Sequence, residues 1–190
     1  IIKSRNTFNT EGRGVIIGFI DSGIDYTHPA FLDFNGDTRV KYIYDLSINE
    51  QKVYTENDIN MALKNSDPYS IVPVYDTTGH GTHVAGIAAA GGNINIDYYG
   101  VAPKASIIMV KSSRGYYSLS TNIMRGIKFL VDKSVELNMP LVINMSLSTN
   151  DGAHDGKSIL EKYISTIADL NRLTIVAAAG NEGDTSHHIG

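Results

Sequence analysis

Three short polar segments of the sequence hold residue types that could act together in catalysis. Asp21, in Asp-Ser-Gly at 21–23, could accept a hydrogen bond from an imidazole and fix its tautomer. His80 opens the segment His-Gly-Thr-His-Val-Ala-Gly at 80–86, and a neutral imidazole there could act as a general base. Asn181 follows Ala-Ala-Ala-Gly, and its side-chain amide could donate a hydrogen bond to an oxyanion.

Each segment also has a purely structural interpretation. Asp21 could be an ordinary turn aspartate, and Gly180-Asn181 a common strand-to-loop turn. His80 and His83 could be two histidines packed in an apolar helix, or two ligands of a metal ion. Against metal, no Glu follows His80 as in the H-E-x-x-H motif, and no third ligand has motif spacing.

The elements that must position these residues alternate along the chain. Continuous apolar runs typical of strands buried on both faces span 15–21, 105–111, 141–148 and 173–179. Helical patterns lie at 80–90, where the residues are small and apolar enough for a buried helix, and at 121–137 and 158–170. This order predicts the α/β class, with a mostly parallel sheet covered by helices on both faces. Ligands bind at the carboxyl edge of such sheets, where Asp21 and Asn181 are expected.

Residues 35–76 interrupt this alternation. The period-two pattern at 39–44 and the segment 52–54 predict a hairpin, and 57–65 a short helix. We interpret 35–76 as a surface insertion within a single domain, because 190 residues match the size of one domain.

Composition excludes several classes of protein. The chain is 42% hydrophobic and 19% charged, which supports a packed core and argues against disorder. No apolar run approaches the roughly 20 residues that span a bilayer. A net charge of -4 argues against a nucleic-acid partner, and the lack of cysteine excludes disulfides and a cysteine nucleophile.

Together and in this order, the three segments resemble the subtilases, the subtilisin-like serine proteases. The resemblance continues through Gly-Val-Ala-Pro at 100–103 and Asn-Met-Ser-Leu at 144–147. It implies the subtilisin-like three-layer αβα fold. Segments 39–48, 139–144 and 152–156 further resemble the clostridial Csp-type germination proteases, which suggests a bacterial spore or extracellular location.

The resemblance implies a serine endopeptidase in which Asp21 orients His80, His80 is the general base and Asn181 is the oxyanion donor. His83 would be structural, packed behind the site. The substrate would be a polypeptide bound as an added strand, and a propeptide is a further candidate partner. The implied substrate-binding residues are Ser113, Arg114 and Gly115 on one side, Ser146, Leu147 and Ser148 on the other, and Ala178, Ala179 and Gly180 in the specificity pocket.

The subtilase nucleophile belongs to a Gly-Thr-Ser-Met-Ala-type motif, which this sequence does not contain. We therefore expect 1–190 to be the amino-terminal portion of a catalytic domain, inactive alone, with uncovered apolar surface that favours self-association. Alternatives are a pseudoprotease that acts in binding or signalling, and a metal-dependent hydrolase that uses His80, His83 and Asp21.

We expect no cofactor. Many subtilases bind calcium through a loop after the histidine helix and an Asp that follows a His-Pro pair. The loop 91–97 could offer carbonyl and amide oxygens, but Ala30 follows His28-Pro29 in this chain. A calcium site without that carboxylate is weakened, so we expect none here.

Overall fold

The computed structural model describes residues 10–112, 119–147, 155–171 and 173–181. Their strands are β1 (Ile16–Asp21), β2 (Val40–Asp45), β3 (Lys52–Thr55), β4 (Ser106–Lys111), β5 (Leu141–Met145) and β6 (Thr174–Ala177). The α-helices are α1 (Glu56–Leu63), α2 (His80–Ala89), α3 (Ser120–Glu136) and α4 (Ile159–Asn171). The strands form one sheet in the order β3-β2-β4-β1-β5-β6, parallel except for β3 against β2. The predicted mostly parallel α/β fold is confirmed.

The central strand β1 faces two separate hydrophobic cores. Successive strand residues point to opposite faces, so Phe19 belongs to the core beneath α1 and α2, while Ile20 belongs to the core beneath α3. Both side chains are fully buried, which explains the unbroken apolar run in the sequence. Asp21 shares the face of Phe19, so this alternation directs its carboxylate toward α2.

The segment 35–76 takes part in the main sheet. Strand β2 pairs with β4 in parallel, and its Val40 and Ile43 are fully buried. The predicted hairpin and helix are present as β2, β3 and α1, but the segment also builds the core and is more than a surface insertion. A shift in register between Val40 and Tyr42 disturbs the alternation from which this burial could have been predicted.

Helix α2 packs on the sheet through one narrow stripe of small residues, Gly81, Ala85 and Ala89. The four-residue spacing places these residues on one side of the helix. On other sides of the helix His83 is exposed and Ile87 is 53% exposed in the part of the chain that the structure describes. The predicted buried helix is therefore buried along one stripe, because only that stripe of α2 faces the sheet.

Other apolar side chains are also open to solvent, among them Ile159 at 80% and Leu170 at 74% exposure on α4. Exposed apolar surface of this kind is consistent with the expected self-association, which stays a prediction. None of the helices in the described ranges is both long and apolar enough to cross a membrane.

Candidate active site

Asp21 ends β1 at the carboxyl edge of the sheet, with only 1% of its surface exposed. Its Oδ1 accepts a hydrogen bond from the backbone N–H of Ser22 at 2.7 Å. Its Oδ2 is buried and has no hydrogen-bond partner within the described ranges. A buried carboxylate that has an oxygen without a hydrogen-bond donor attracts a neighbouring cation strongly.

His80 is held opposite this carboxylate because it is the first residue of α2. The preceding Gly79 adopts a left-handed conformation with φ of 73° and offers no side-chain cap. The helix N-terminus is instead capped from a distance by Asp76, which accepts hydrogen bonds from the backbone N–H groups of Gly79 and Thr82.

The His80 Nδ1 lies 2.7 Å from Asp21 Oδ1. Since Oδ1 already accepts the Ser22 N–H, it acts as an acceptor, and we assign the imidazole proton to Nδ1. This tautomer leaves Nε2 free to take a proton, on a side chain that is 52% exposed. The pair has the geometry of a general base with its orienting carboxylate.

Gly81 permits the close approach of α2 to β1 on which this hydrogen bond depends. A Cβ at position 81 would lie 2.2 Å from the backbone oxygen of Gly23 and 3.1 Å from Asp21 Oδ1. The first distance is far inside van der Waals contact with rigid backbone. Any larger residue therefore forces the start of α2 away from Asp21.

We accordingly expect Gly81→Ala to lower the free energy of unfolding of this chain by about 2–4 kcal/mol, because overpacking against backbone cannot relax cheaply. Urea or thermal unfolding measures this change. The matched control is Gly86→Ala on the same helix, where a Cβ meets nothing within 4 Å. That variant is expected to be neutral or more stable by up to about 1 kcal/mol. Equal losses in the two variants would contradict a close-approach role for Gly81.

The third predicted segment reaches the same edge of the sheet. Asn144 lies level with Phe19 on one side and with Val176 on the other. Continuing this register by two residues places Asp21, Ser146 and Ala178 next to one another at the carboxyl edge of the sheet. Ala178 extends the pairing by donating its N–H to the carbonyl of Met145 at 3.1 Å.

After β6 the chain has no regular secondary structure up to Asn181. Ala178 and Ala179 are exposed, and Gly180 has a φ of 94°, a conformation that favours glycine. Asn181 follows as an exposed residue. Its assignment as an oxyanion donor stays a prediction.

Among the predicted substrate-binding residues, Ser146 and Leu147 are partly buried just after β5, and the Ser146 Oγ donates to Asn144 Oδ1 at 3.0 Å. Ser113, Arg114, Gly115 and Ser148 lie outside the described residues. The prediction that His83 is packed behind the site is wrong for the described chain, because His83 is exposed on α2.

The described side chains that could bind a metal ion do not form a cluster. Within the described ranges, no group of three or more His, Cys, Asp or Glu residues could hold an ion. In the loop 91–97, Asn93 donates its amide to the carbonyl of Phe34, and the Asn95 oxygen accepts the N–H of Asp97. Ala30 is buried and offers no side-chain oxygen. These residues do not fit a calcium site, and its absence from the protein stays a prediction.

Two polar residues next to the site, Asp76 and Lys111, were not among the residues predicted from the sequence. Asp76 receives hydrogen bonds from both Ser22 and Thr82, and buried Lys111 donates from Nζ to the carbonyl of Tyr75. Lys111 lies opposite Asp21 in the pairing of β1 with β4. The signal for Asp76 was an acidic residue four positions before the helix that begins with His80.

The comparison with known proteins agrees with this fold. A sequence model of the Subtilase family matches residues 12–189, and the chain belongs to that family. The predicted family is therefore confirmed.

One relative found by sequence and two solved structures show what the chain is similar to. The chain is 32% identical to subtilisin E of Bacillus subtilis (strain 168) over 178 residues, which cover 92% of this chain and 36% of that protein. The solved structure of the Clostridium perfringens CspB protease superposes with a TM-score of 0.92 at 59% identity, covering 97% of this chain and 40% of the other. The S41 psychrophilic protease superposes with a TM-score of 0.66 at 28% identity, covering 92% and 48%. The predicted resemblance to Csp-type proteases is confirmed, and the chain spans about a third of the length of subtilisin E.

Proposed function

We propose that this chain supplies the general base and its orienting carboxylate to a subtilisin-type serine endopeptidase. The observation that carries the proposal is the 2.7 Å contact between His80 Nδ1 and the buried Asp21 carboxylate in a member of this family. In the full-length protein, residues 1–190 form the amino-terminal portion of the catalytic domain. The nucleophilic serine lies outside these residues.

The reaction is acyl transfer to that serine and then to water. The serine oxygen attacks the carbonyl carbon of the scissile peptide bond while His80 Nε2 accepts the hydroxyl proton. Asp21 stabilises the resulting imidazolium, and the amide of Asn181 donates a hydrogen bond to the oxyanion. When the tetrahedral intermediate collapses, the C–N bond breaks and His80 returns the proton to the leaving amine. Water then repeats the sequence on the acyl-enzyme.

The substrate proposed is a polypeptide that binds in extended form along the carboxyl edge of the sheet. Ser146 and Leu147 follow β5 at this edge, and the chain from Ala178 to Gly180 follows β6. Backbone groups there can pair with an added strand, and the small side chains leave room for a substrate side chain. Ser113, Arg114 and Gly115 are proposed for the opposite side, with Ser148 beside Leu147.

The test of this proposal is an active-site probe. The full-length protein is incubated with a fluorophosphonate, which labels only an activated serine, and is assayed in parallel on a chromogenic peptide. We expect one label per protein and loss of hydrolysis in proportion to labelling. Protein unfolded beforehand is the control and should not be labelled.

Two other outcomes would overturn the proposal. A folded protein with neither labelling nor hydrolysis would identify a pseudoprotease. Hydrolysis that resists the fluorophosphonate but stops when a chelator is added would identify a metal-dependent enzyme.

A further inference from the structure

Asp76, which lies outside the predicted Asp21–His80–Asn181 set, is the most heavily hydrogen-bonded carboxylate near the site. Its Oδ2 accepts the Thr82 N–H at 2.8 Å and the Thr82 hydroxyl at 2.6 Å. Its Oδ1 accepts the Ser22 hydroxyl at 2.7 Å, the Gly79 N–H at 3.1 Å and the Thr78 hydroxyl at 3.3 Å. Burial opposes ionisation of Asp76, but the hydrogen bonds from Thr82, Ser22 and Gly79 outweigh it and hold its pKa below the usual range. Asp76 is therefore charged at neutral pH.

The Ser22 hydroxyl lies between this carboxylate and that of Asp21. Its oxygen is 2.7 Å from Asp76 Oδ1 but 3.3 Å from Asp21 Oδ1, and it also accepts the Gly81 N–H at 3.0 Å. A hydroxyl has a single proton to donate, and the shorter contact takes it. Asp21 Oδ1 is thus left to the Ser22 N–H and the imidazole of His80.

We infer that Asp76 is a positioning residue of this active site, which withdraws the Ser22 hydroxyl proton from Asp21 and anchors the first turn of α2 that carries His80. The inference rests on the proposed function. Without the Asp76 charge, the Ser22 hydroxyl turns to Asp21 Oδ1 and adds a competing donor. The hydrogen bond from His80 then weakens, and Asp21 stabilises the imidazolium less well.

Several charged or titratable groups surround His80, and among those the structure describes Asp76 makes the short hydrogen bond with the Ser22 hydroxyl. Asp21 faces it from β1. Lys111 stands opposite Asp21 on β4, with its ammonium on the Tyr75 carbonyl. The Asp25 carboxylate accepts hydrogen bonds from Thr27 and Tyr69, and His83 is exposed on the same helix. Asp76 is the group within the described chain that contacts both the Ser22 hydroxyl and the first turn of α2.

The decisive variant is Asp76→Asn in the full-length protein, which keeps the shape and removes the charge. We expect kcat/KM to fall about 10- to 100-fold, mostly in kcat, because the base is displaced while the substrate groove is untouched. The acid limb of the pH profile should move to lower pH, since the site loses negative charge. The NMR resonance of the His80 Nδ1 proton should move upfield, a measurement that needs no hydrolysis.

Two companion variants separate this role from simple stabilisation. Asp58→Asn removes an equivalent charge from the capping box of α1, so it should lower stability but leave both the pH profile and the Nδ1 resonance unchanged. Ser22→Ala should leave the Nδ1 resonance near its wild-type position, because its hydroxyl proton already points to Asp76. In the Ser22→Ala background, Asp76→Asn should shift the resonance less than it does alone.

A wild-type pH profile and Nδ1 resonance in Asp76→Asn would overturn the inference, as would additive shifts in the double variant. If Asp76→Asn does not fold, the Ser22→Ala variant alone tests the inference. A downfield shift of the His80 Nδ1 resonance in Ser22→Ala would then overturn it. A wild-type protein that hydrolyses no peptide refutes the proposed function instead, and the NMR comparison still tests Asp76.

Discussion

His80→Ala is expected to lower kcat of the full-length protein about 10⁶-fold, the size of the loss that removal of the triad histidine causes in subtilisin itself. The physical reason is that no other described group replaces the free Nε2. His80 is the imidazole hydrogen-bonded to the buried Asp21, and it is half exposed toward the edge where a substrate would lie. Steady-state hydrolysis of a chromogenic peptide measures the change, with KM expected to move little.

The chain provides a matched control in His28, a second exposed imidazole. Its Nδ1 accepts the N–H of Ala30 at 3.1 Å, a contact that an asparagine oxygen can take over. His28→Asn should therefore keep kcat near the wild-type value. His83→Ala tests the metal-dependent alternative. A loss of kcat as large as that of His80→Ala would indicate that both imidazoles bind one ion.

Asp21→Asn is expected to lower kcat about 10⁴-fold while the protein stays folded. An asparagine carries no charge with which to stabilise the imidazolium. If its NH₂ group faces Nδ1, the imidazole must accept there and place its proton on Nε2, the atom that has to act as the base. The same peptide assay detects the loss, and circular dichroism establishes that the fold is kept.

Asp45→Asn is the control for this second change. Asp45 is also buried at the carboxyl end of a strand, and it lies on the other side of Lys111 from Asp21. Its Oδ1 accepts the N–H and hydroxyl of Ser47, which an asparagine oxygen can also do. Kcat should stay close to wild type. A loss in Asp45→Asn that matches Asp21→Asn would show that general disruption of this edge, and not the loss of the orienting carboxylate, limits the rate.

The sequence allowed the strands and the shared edge to be predicted because both depend on short-range patterns. Strands such as β1 and β4 are buried on both faces, so they appear as continuous apolar runs. Parallel strands end at one edge of a sheet, so polar residues that follow those runs must come together. The Asp21–His80 contact follows from that rule and from the position of His80 at a helix start.

The features that could not be predicted depend on contacts between distant segments. Asp76 has its role because Ser22, 54 residues away, folds against it. The place of β2 in the sheet is hidden by the shift in register after Val40. The exposure of His83 depends on which stripe of α2 meets the sheet, and a helix of mostly small and apolar residues gives little amphipathic signal to orient it.

The strand order imposes a delay on the newly made chain. β1 is synthesised before both of its neighbours, because β4 and β5 end at Lys111 and Met145. At translation rates of about 5–20 residues per second, its apolar segment waits roughly ten seconds for both partners. Neither side of β1 has its partner until β4 is made, and the side that pairs with β5 stays open until the end of the interval, which leaves the nascent polypeptide prone to aggregate.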